Sequence, residues 1–344
     1  LIPSFIALFR YNRSMFYFSL LFLVFYIPVT TYLTDFDIRG EGYSANLNRL
    51  LVTVFYIPSY LYIALLLGFG VYYLITLLRN RLLQFSLTGL VLLMFVFSFS
   101  GKYSRVNMRN YHYPQHYLKN LFSVVDDNAV VFTQIDYYYF PALYYQHIED
   151  KRRDVTVLDQ PLLKRSWYIE MLRNNHPSLI KQSGAAVDEF LKAVEPFENN
   201  EPYDGNYIEK NYIGMINAFI DQVVESGREV YFTYIPQQNI LRNYSFEPML
   251  GAFRLTMKPE LSKLNYEQFE FDDFATVNEA DPFLVRMFSQ FYGQQHVSRA
   301  ALCEQMGLTD EASLLYKKSL DFHFEDERIR EYAETRIKAL ASLE

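Results

Sequence analysis

Three long stretches of the chain carry no charged residue: Met15–Leu33, Leu50–Leu78 and Leu82–Ser100. A helix of about 20 apolar residues crosses a hydrocarbon core of ~30 Å, so each run predicts a transmembrane helix. The first and third fit one crossing each. The middle run is longer than one crossing needs. Its opening, Leu50 to Pro58, is expected to lie at the membrane interface, with a bend at Pro58. Ile2 to Phe9 reads as the end of a further apolar helix. It is not a signal peptide, because no basic leader or cleavage site surrounds it. With Leu1 in first place, the expectation is the later or processed part of a longer chain.

The pattern changes after residue 100. Ala129-Val-Val-Phe-Thr-Gln134 and Val155-Thr-Val-Leu158 are short apolar runs rich in β-branched residues, and Tyr137–Ile148 between them has helical spacing. That is one β-α-β unit, whose connection suits a parallel crossover. Glu229–Ile235 predicts a third strand, preceded by a helix over about Tyr207–Glu225 that stops at Gly227. The last sixty residues are helical. Arg299–Gly307 is one amphipathic piece, and Thr309 is expected to cap the next, with Asp310 and Glu311 at its positive end. Ala312, Tyr316 and Leu320 recur at intervals of four. Gly307–Leu320 resembles the turn and second helix of a tetratricopeptide repeat. A single repeat predicts a capping or docking hairpin, since an array needs several. The predicted fold is therefore an α-helical membrane segment of three spans (1–100), a soluble α/β domain with a mainly parallel sheet (101–285), and a tetratricopeptide-like helical tail (286–344).

Composition sharpens this picture. The chain has 344 residues, a formal net charge of −7 and 51% hydrophobic residues. The charge sits almost entirely after residue 100, which hides a membrane half inside a mean hydropathy near zero. A negative balance argues against nucleic acid, whose phosphates need a basic face. Cys303 is the only cysteine, so neither an intrachain disulfide nor a cysteine-built zinc site can form. Arg10, Arg13, Arg79 and Arg81 fall on one side of the predicted spans. The loop Thr34–Arg49, with Asp35, Asp37, Glu41, Arg39 and Arg49, falls on the other. The positive-inside rule then places residues 101–344 outside the cytoplasm. Lys102, Arg105 and Arg109 count against that placement, although long domains cross largely regardless of charge.

Ligands on parallel sheets sit beyond the carboxyl ends of the strands. Asp136 follows the first strand and Asp159 ends the second. Either the two face one crevice, or each caps a following turn. Gln134-Ile-Asp-Tyr137 has none of the glycines of a phosphate loop. His112 and His116 are four apart, but Pro114 between them weakens a shared helix face, and a pair alone is no metal site. No cofactor is expected.

Several short motifs in order resemble a family. They are Tyr117-Leu-Lys-Asn-Leu121, Asn128–Asp136, Phe140-Pro-Ala-Leu-Tyr-Tyr-Gln-His-Ile-Glu149, Arg153-Asp-Val-Thr-Val157, Leu162-Leu163 and Trp167-Tyr168. Phe55-Tyr-Ile-Pro-Ser-Tyr60 and the Gly68-Phe-Gly70 helix are similar to the family's last spans. The resemblance, over about residues 50–175, is to bacterial multi-spanning membrane proteins common in Bacteroidetes-type bacteria. The vertebrate transmembrane O-mannosyltransferase of plexin-type receptors belongs to the same group. Two departures stand out. A Gly-Asp-Asn-Asp-like turn usual in the family is here Gln134–Tyr137, keeping only Asp136. The segment before Phe55 lacks the usual charges.

The resemblance implies a glycosyltransferase of the C superfamily in the bacterial inner membrane. Such an enzyme passes a sugar, mannose in the nearest case, from a polyprenyl-phosphate donor to a protein or glycan acceptor outside the cytoplasm. Its catalytic carboxylate is expected upstream of Leu1. Arg39 or Arg49 would hold the donor phosphate through charge-assisted bonds. Asp136, Tyr139, Trp167 and Tyr168, with Tyr137 and Tyr138, would recognise the acceptor, or the tyrosines would simply pack. The competing reading is a non-catalytic scaffold that docks a protein partner through its tail. A transporter is weakly supported, because the spans hold no ionisable residue.

Overall fold

The computed structural model describes residues 1–34, 39, 43–107, 109, 111–134, 136–242, 244–277 and 281–342. It separates into two compact units, Leu1–Asn110 and Tyr111–Glu344. The first is helical: α1 (Ile2–Tyr11), α2 (Arg13–Leu21), α3 (Ile27–Thr34), α4 (Tyr43–Phe55), α5 (Ile57–Leu77) and α6 (Arg81–Val106). A π-helical turn, Phe22–Tyr26, joins α2 to α3. Pro28 has no N–H to continue the i−4 ladder, and the helix widens just before it. Among the described residues, three continuous segments are long and apolar enough to cross a membrane: Arg13–Thr34, Ile57–Leu77 and Arg81–Tyr103.

Two details differ from the expected layout. The predicted loop Thr34–Arg49 is helical from Tyr43 onward, so Arg49 sits on α4. The break in the middle run falls at Tyr56, with Pro58 in the first turn of α5. That is where a proline fits, since the first N–H groups of a helix are unpaired anyway. Asp35, Asp37 and Glu41 lie outside the described residues. Helix α1 packs on α5 through small side chains. Ser4 Oγ donates to the Leu66 carbonyl at 2.5 Å. A Cβ at Gly70 would come within 3.1 Å of the Ser4 backbone nitrogen. Small residues of this kind let membrane helices approach closely.

The second unit opens with α7 (Tyr113–Val124), β1 (Val130–Thr133), α8 (Asp136–His147) and β2 (Thr156–Asp159). The predicted β-α-β unit is present, and β1 and β2 pair in parallel from Val130↔Thr156 to Thr133↔Asp159. Arg152 ties the end of this crossover, just before β2, to the end of α7. Its guanidinium donates to the carbonyls of Phe122 at 2.6 Å and Val125 at 3.0 Å, which lack partners at a helix C-terminus. Helices α9 (Ser166–Asn175), α10 (Pro177–Gln182), α11 (Gly184–Glu198) and α12 (Gly205–Glu225) lead to β3 (Val230–Phe232), which pairs in parallel on the other side of β1. Asp204 caps α12, accepting from Asn206 N at 2.9 Å. Gly227 ends that helix at φ +75°, the left-handed backbone glycine tolerates best.

A short α13 (Gln238–Leu241) precedes the antiparallel pair β4 (Ser245–Pro248) and β5 (Phe253–Thr256). The sheet order is β2-β1-β3-β5-β4. Its parallel heart matches the predicted α/β class, and the antiparallel extension through β5 was not among the predicted elements. A short α14 (Asp272–Ala275) leads to the tail: α15 (Phe283–Gln305), α16 (Thr309–Ser319) and α17 (Glu327–Ala341). The boundary placed at 285/286 falls inside α15, whose first half is part of the α/β core. Tyr117 of α7 stacks on Tyr138 of α8 at 4.5 Å and meets Phe288 of α15 at 5.3 Å.

The second half of α15 forms the hairpin with α16. Gly307, at φ +79°, turns the chain between them. Ala312, Leu315 and Tyr316 pack with Ala300, Cys303 and Phe324. Thr309 is the first helical residue. Leu308 holds the cap position, without a side-chain cap bond, so the expected threonine cap is absent while Asp310 and Glu311 stand in the first turn as predicted.

His296 of α15 is 1% exposed, between Phe271 and Phe322. Its Nδ1 lies 2.7 Å from the Tyr292 carbonyl, so this nitrogen carries the proton in the neutral ring. Burial pulls its pKa down to about 4 from 6.5, helped by the charges of Lys318 and Arg299 and opposed by that carbonyl. Between these two values the unfolded chain binds a proton that the folded chain does not. The His296 contribution to stability is therefore intact above pH 6.5 and falls as the pH drops towards 4, by about 3 kcal/mol in all. Urea unfolding at pH 7 and pH 4 is expected to show a loss smaller by about that amount in His296→Gln.

Candidate functional site

In the strand order β2-β1-β3, the crossover from β1 runs to one side and the crossover into β3 to the other. Right-handed crossovers then place α8 and the α9–α12 group on opposite faces. The crevice opens between β1 and β3 at their carboxyl ends, as in other sheets of this order. A cleft of about 370 Å³ lies there, within the range of small-ligand pockets. It is lined by the residue that follows β1 (Gln134), the residue that follows β2 (Gln160), and Gln237 beyond β3, together with Lys164, Arg165 and Tyr212. Clefts of about 440 Å³ beside α11 and about 480 Å³ beside β4 do not touch the carboxyl ends of the parallel strands.

Two tyrosines fix Gln160. The Tyr212 hydroxyl donates to its backbone carbonyl at 2.8 Å, and the Tyr234 hydroxyl donates to its side-chain Oε1. The Gln160 amide donors are then left for the cleft. Burial raises the pKa of both phenols, so they remain protonated donors at neutral pH. Lys164 Nζ lies 3.3 Å from Glu209 and 4.7 Å from the centre of the Tyr212 ring. The Arg165 guanidinium lies over the Phe197 ring at 5.8 Å and makes no ion pair among the described residues. The wall thus combines three amides and one phenol with one balanced ion pair, one further cation and the apolar Pro161, Ile213 and Ile240. Such groups hold a hydroxyl- or amide-rich ligand by paired donors and acceptors. They include no nucleophile held against a base.

The predicted residues are distributed differently. Asp159 is buried, at 1% exposed. Its carboxylate accepts from Leu162 N at 2.9 Å, capping the turn after β2, and from Thr133 Oγ1 at 3.4 Å. Burial raises its pKa, the Leu162 amide opposes this, and the nearby Asp136 charge adds to the rise. Asp136 is exposed in the first turn of α8. Neither aspartate lines the cleft. Tyr139 and Tyr168 are buried and share a hydroxyl–hydroxyl bond of 3.1 Å, and the Tyr168 oxygen accepts from Asp159 N. Tyr138 is also buried, Tyr137 is half-buried, and Trp167 is exposed. Arg39 and Arg49 are exposed and belong to the helical unit.

Pro114 opens α7 and does not interrupt it, so His112 sits at the cap and His116 within the first turn. His116 contacts Asp273 at 2.7 Å and Glu270 at 3.2 Å. Among the described residues no group of three or more histidines, cysteines or carboxylates is placed to hold a metal.

Sequence reasoning passed over Gln160, Tyr212 and Tyr234. The usable signal was position. Each strand end hands the chain to the crevice, and the residue just beyond it is the one that lines the wall.

Apolar helices able to span a bilayer, followed by an α/β unit with a polar cleft at its switch point, mark a membrane protein with a separate α/β unit. Residues 113–239 match a family described as TMEM260-associated domain 2. The match runs from α7 to α13 and takes in the three parallel strands and the cleft. It fits a relation to TMEM260, the vertebrate protein O-mannosyltransferase. The similarity noted around Phe55–Gly70 lies outside it. No curated protein and no solved structure matches the chain.

Proposed function

We propose that this chain is the C-terminal part of a membrane glycosyltransferase. In this reading the enzyme moves a sugar, mannose in the first instance, from a polyprenyl-phosphate donor to a protein or glycan acceptor on the outer side of the bacterial inner membrane. The observation that carries it is the domain match, which falls on the segment that builds the cleft. The α/β unit is the acceptor-side module: its amides, with Gln160 held in place by Tyr212 and Tyr234, pair with the acceptor, and the groups that transfer the sugar lie outside the cleft. Arg39 and Arg49 remain the candidates for the donor phosphate, and an upstream carboxylate the candidate for general base.

The test uses membranes containing the complete protein, polyprenyl-phosphate mannose and an acceptor fraction from the same envelope. Gln160→Ala is expected to raise the acceptor KM by about tenfold, the effect of losing one or two hydrogen bonds to a ligand, and to leave the donor KM unchanged. Absence of any transfer, together with unchanged envelope glycans in a deletion strain, would overturn the proposal.

A further inference from the structure

Helix α8 is apolar on both faces. Between Asp136 and His147 it reads Tyr-Tyr-Tyr-Phe-Pro-Ala-Leu-Tyr-Tyr-Gln, without a charge. Helices of that kind are normally enclosed. Here only one face is covered, the face bearing Tyr138, Tyr139, Ala142 and Gln146. On the other, Phe140 and Tyr144 are each 56% exposed and Ile148, one residue past the helix, is 68% exposed. They follow one another at intervals of four, so they form a single stripe. Ring contacts lead from it to α9: Phe140 to Tyr139 at 5.5 Å, Tyr139 to Tyr168 at 6.3 Å, and Tyr168 to Trp167 at 5.7 Å. Trp167, at the end of that path, is 58% exposed. Tyr139 and Tyr168 are buried, so the path runs beneath the surface; the exposed group is the stripe itself, with Trp167 beside it, and clustered exposed apolar side chains mark a surface that is covered in use.

The chain itself supplies a surface of the right chemistry. The third span ends at Tyr103 and the α/β unit begins at Tyr111. Even fully extended, such a connection reaches no more than about 30 Å. The unit is therefore tethered close to the bilayer, and a face of it that binds lipid would do so at high effective concentration. Phenylalanine, tyrosine and tryptophan are the residues that settle at the boundary between headgroups and acyl chains.

We propose that the stripe Phe140, Tyr144 and Ile148, with Trp167 at its margin, is a lipid-contacting face that rests in the interfacial layer of the bilayer. It is a binding surface for lipid in addition to the cleft, and it requires only that the protein be membrane-anchored, not that it transfer sugar. The contact limits tumbling of the α/β unit on its tether.

Trp167 is the single tryptophan of the chain, which makes it a built-in reporter. The full chain is placed in nanodiscs of phosphatidylcholine, or of the same lipid brominated near the top of its acyl chains. A second form, Tyr144→Trp in a Trp167→Phe background, moves the reporter to the middle of the stripe. In this second form the emission is expected to shift to the blue and most of it to be lost in the brominated discs, with iodide in the water having little effect. A smaller loss is expected for Trp167. The triple variant Phe140→Ser, Tyr144→Ser, Ile148→Ser, which alters only exposed side chains, is expected to abolish the bromolipid effect on Trp167 while far-UV circular dichroism stays unchanged. Emission from the second form that ignores bromolipid but is quenched by iodide would place the stripe in water and overturn the proposal. Emission quenched by neither, from a chain that runs as a dimer, would assign the stripe to a protein contact and overturn it equally.

Discussion

Replacing Glu247 by leucine is expected to destabilise the α/β unit by roughly 3–5 kcal/mol, the usual cost of breaking a buried ion pair from one side. Glu247 on β4 is 0% exposed and Arg299 on α15 is 1% exposed. The carboxylate accepts from Arg254 at 2.7 Å, from Arg299 at 3.3 Å, and from the Ser262 hydroxyl at 3.1 Å and its backbone N–H. Arg299 also donates to the Pro248 carbonyl at 2.9 Å. Removing the carboxylate leaves the Arg299 charge in a buried site, and among the described residues no other acid accepts from it. The double variant Glu247→Leu, Arg299→Met is expected to recover most of the loss, because it removes both charges together. Urea unfolding of the single and double variants measures this. A single variant costing under about 1 kcal/mol would mean the cluster is solvated, as surface pairs are.

Tyr117→Ala is expected to cost about 3–5 kcal/mol, as large aromatic truncations in cores do, lowering the melting temperature by roughly 6–20 °C. Tyr117 is fully buried and its ring touches Tyr138, Phe288, Phe291 and Tyr292. These belong to α8 and to the first half of α15, so the cavity would loosen the tail from the sheet layer. Limited proteolysis is expected to cut ahead of α15 faster in the variant. This contact also changes how a scaffold role can be probed. Deleting residues 285–344 removes part of the core along with any docking surface, so loss of a complex after that deletion would report unfolding as readily as lost docking. Exposed substitutions on α17 are the cleaner probe.

Much of the architecture was legible because its causes are local. A run without charge that is long enough to cross hydrocarbon is visible in any window of twenty residues. The parallel unit around β1 and β2 shows as two β-branched runs with a helical period between them. Gly227 and Gly307 mark helix ends because the left-handed backbone there suits a residue without Cβ. The antiparallel pair β4–β5 was not legible. Ser-Phe-Glu-Pro and Phe-Arg-Leu-Thr alternate apolar and polar residues, but over only four positions each, and the first ends in a proline, which demotes a run as a strand.

The site separates along the same line. Residue order alone was enough to show that the carboxyl ends of the parallel strands form the place to look, because the crossover connection dictates the crevice. The aspartates there drew attention for their charge, yet Asp159 turns inward to cap its own turn, and the neutral Gln160 lines the wall instead. That choice depends on Tyr212 and Tyr234, which come to Gln160 from 52 and 74 residues away. The covered and bare faces of α8 were equally hidden, since both are apolar in the sequence and only the packing of the sheet, α7 and α15 distinguishes them. Local periodicity and the absence of charge were sufficient for the spans, the helices and the parallel strands. The cleft wall, the Glu247–Arg299 cluster and the bare stripe of α8 arise from contacts between distant segments, which no local pattern encodes.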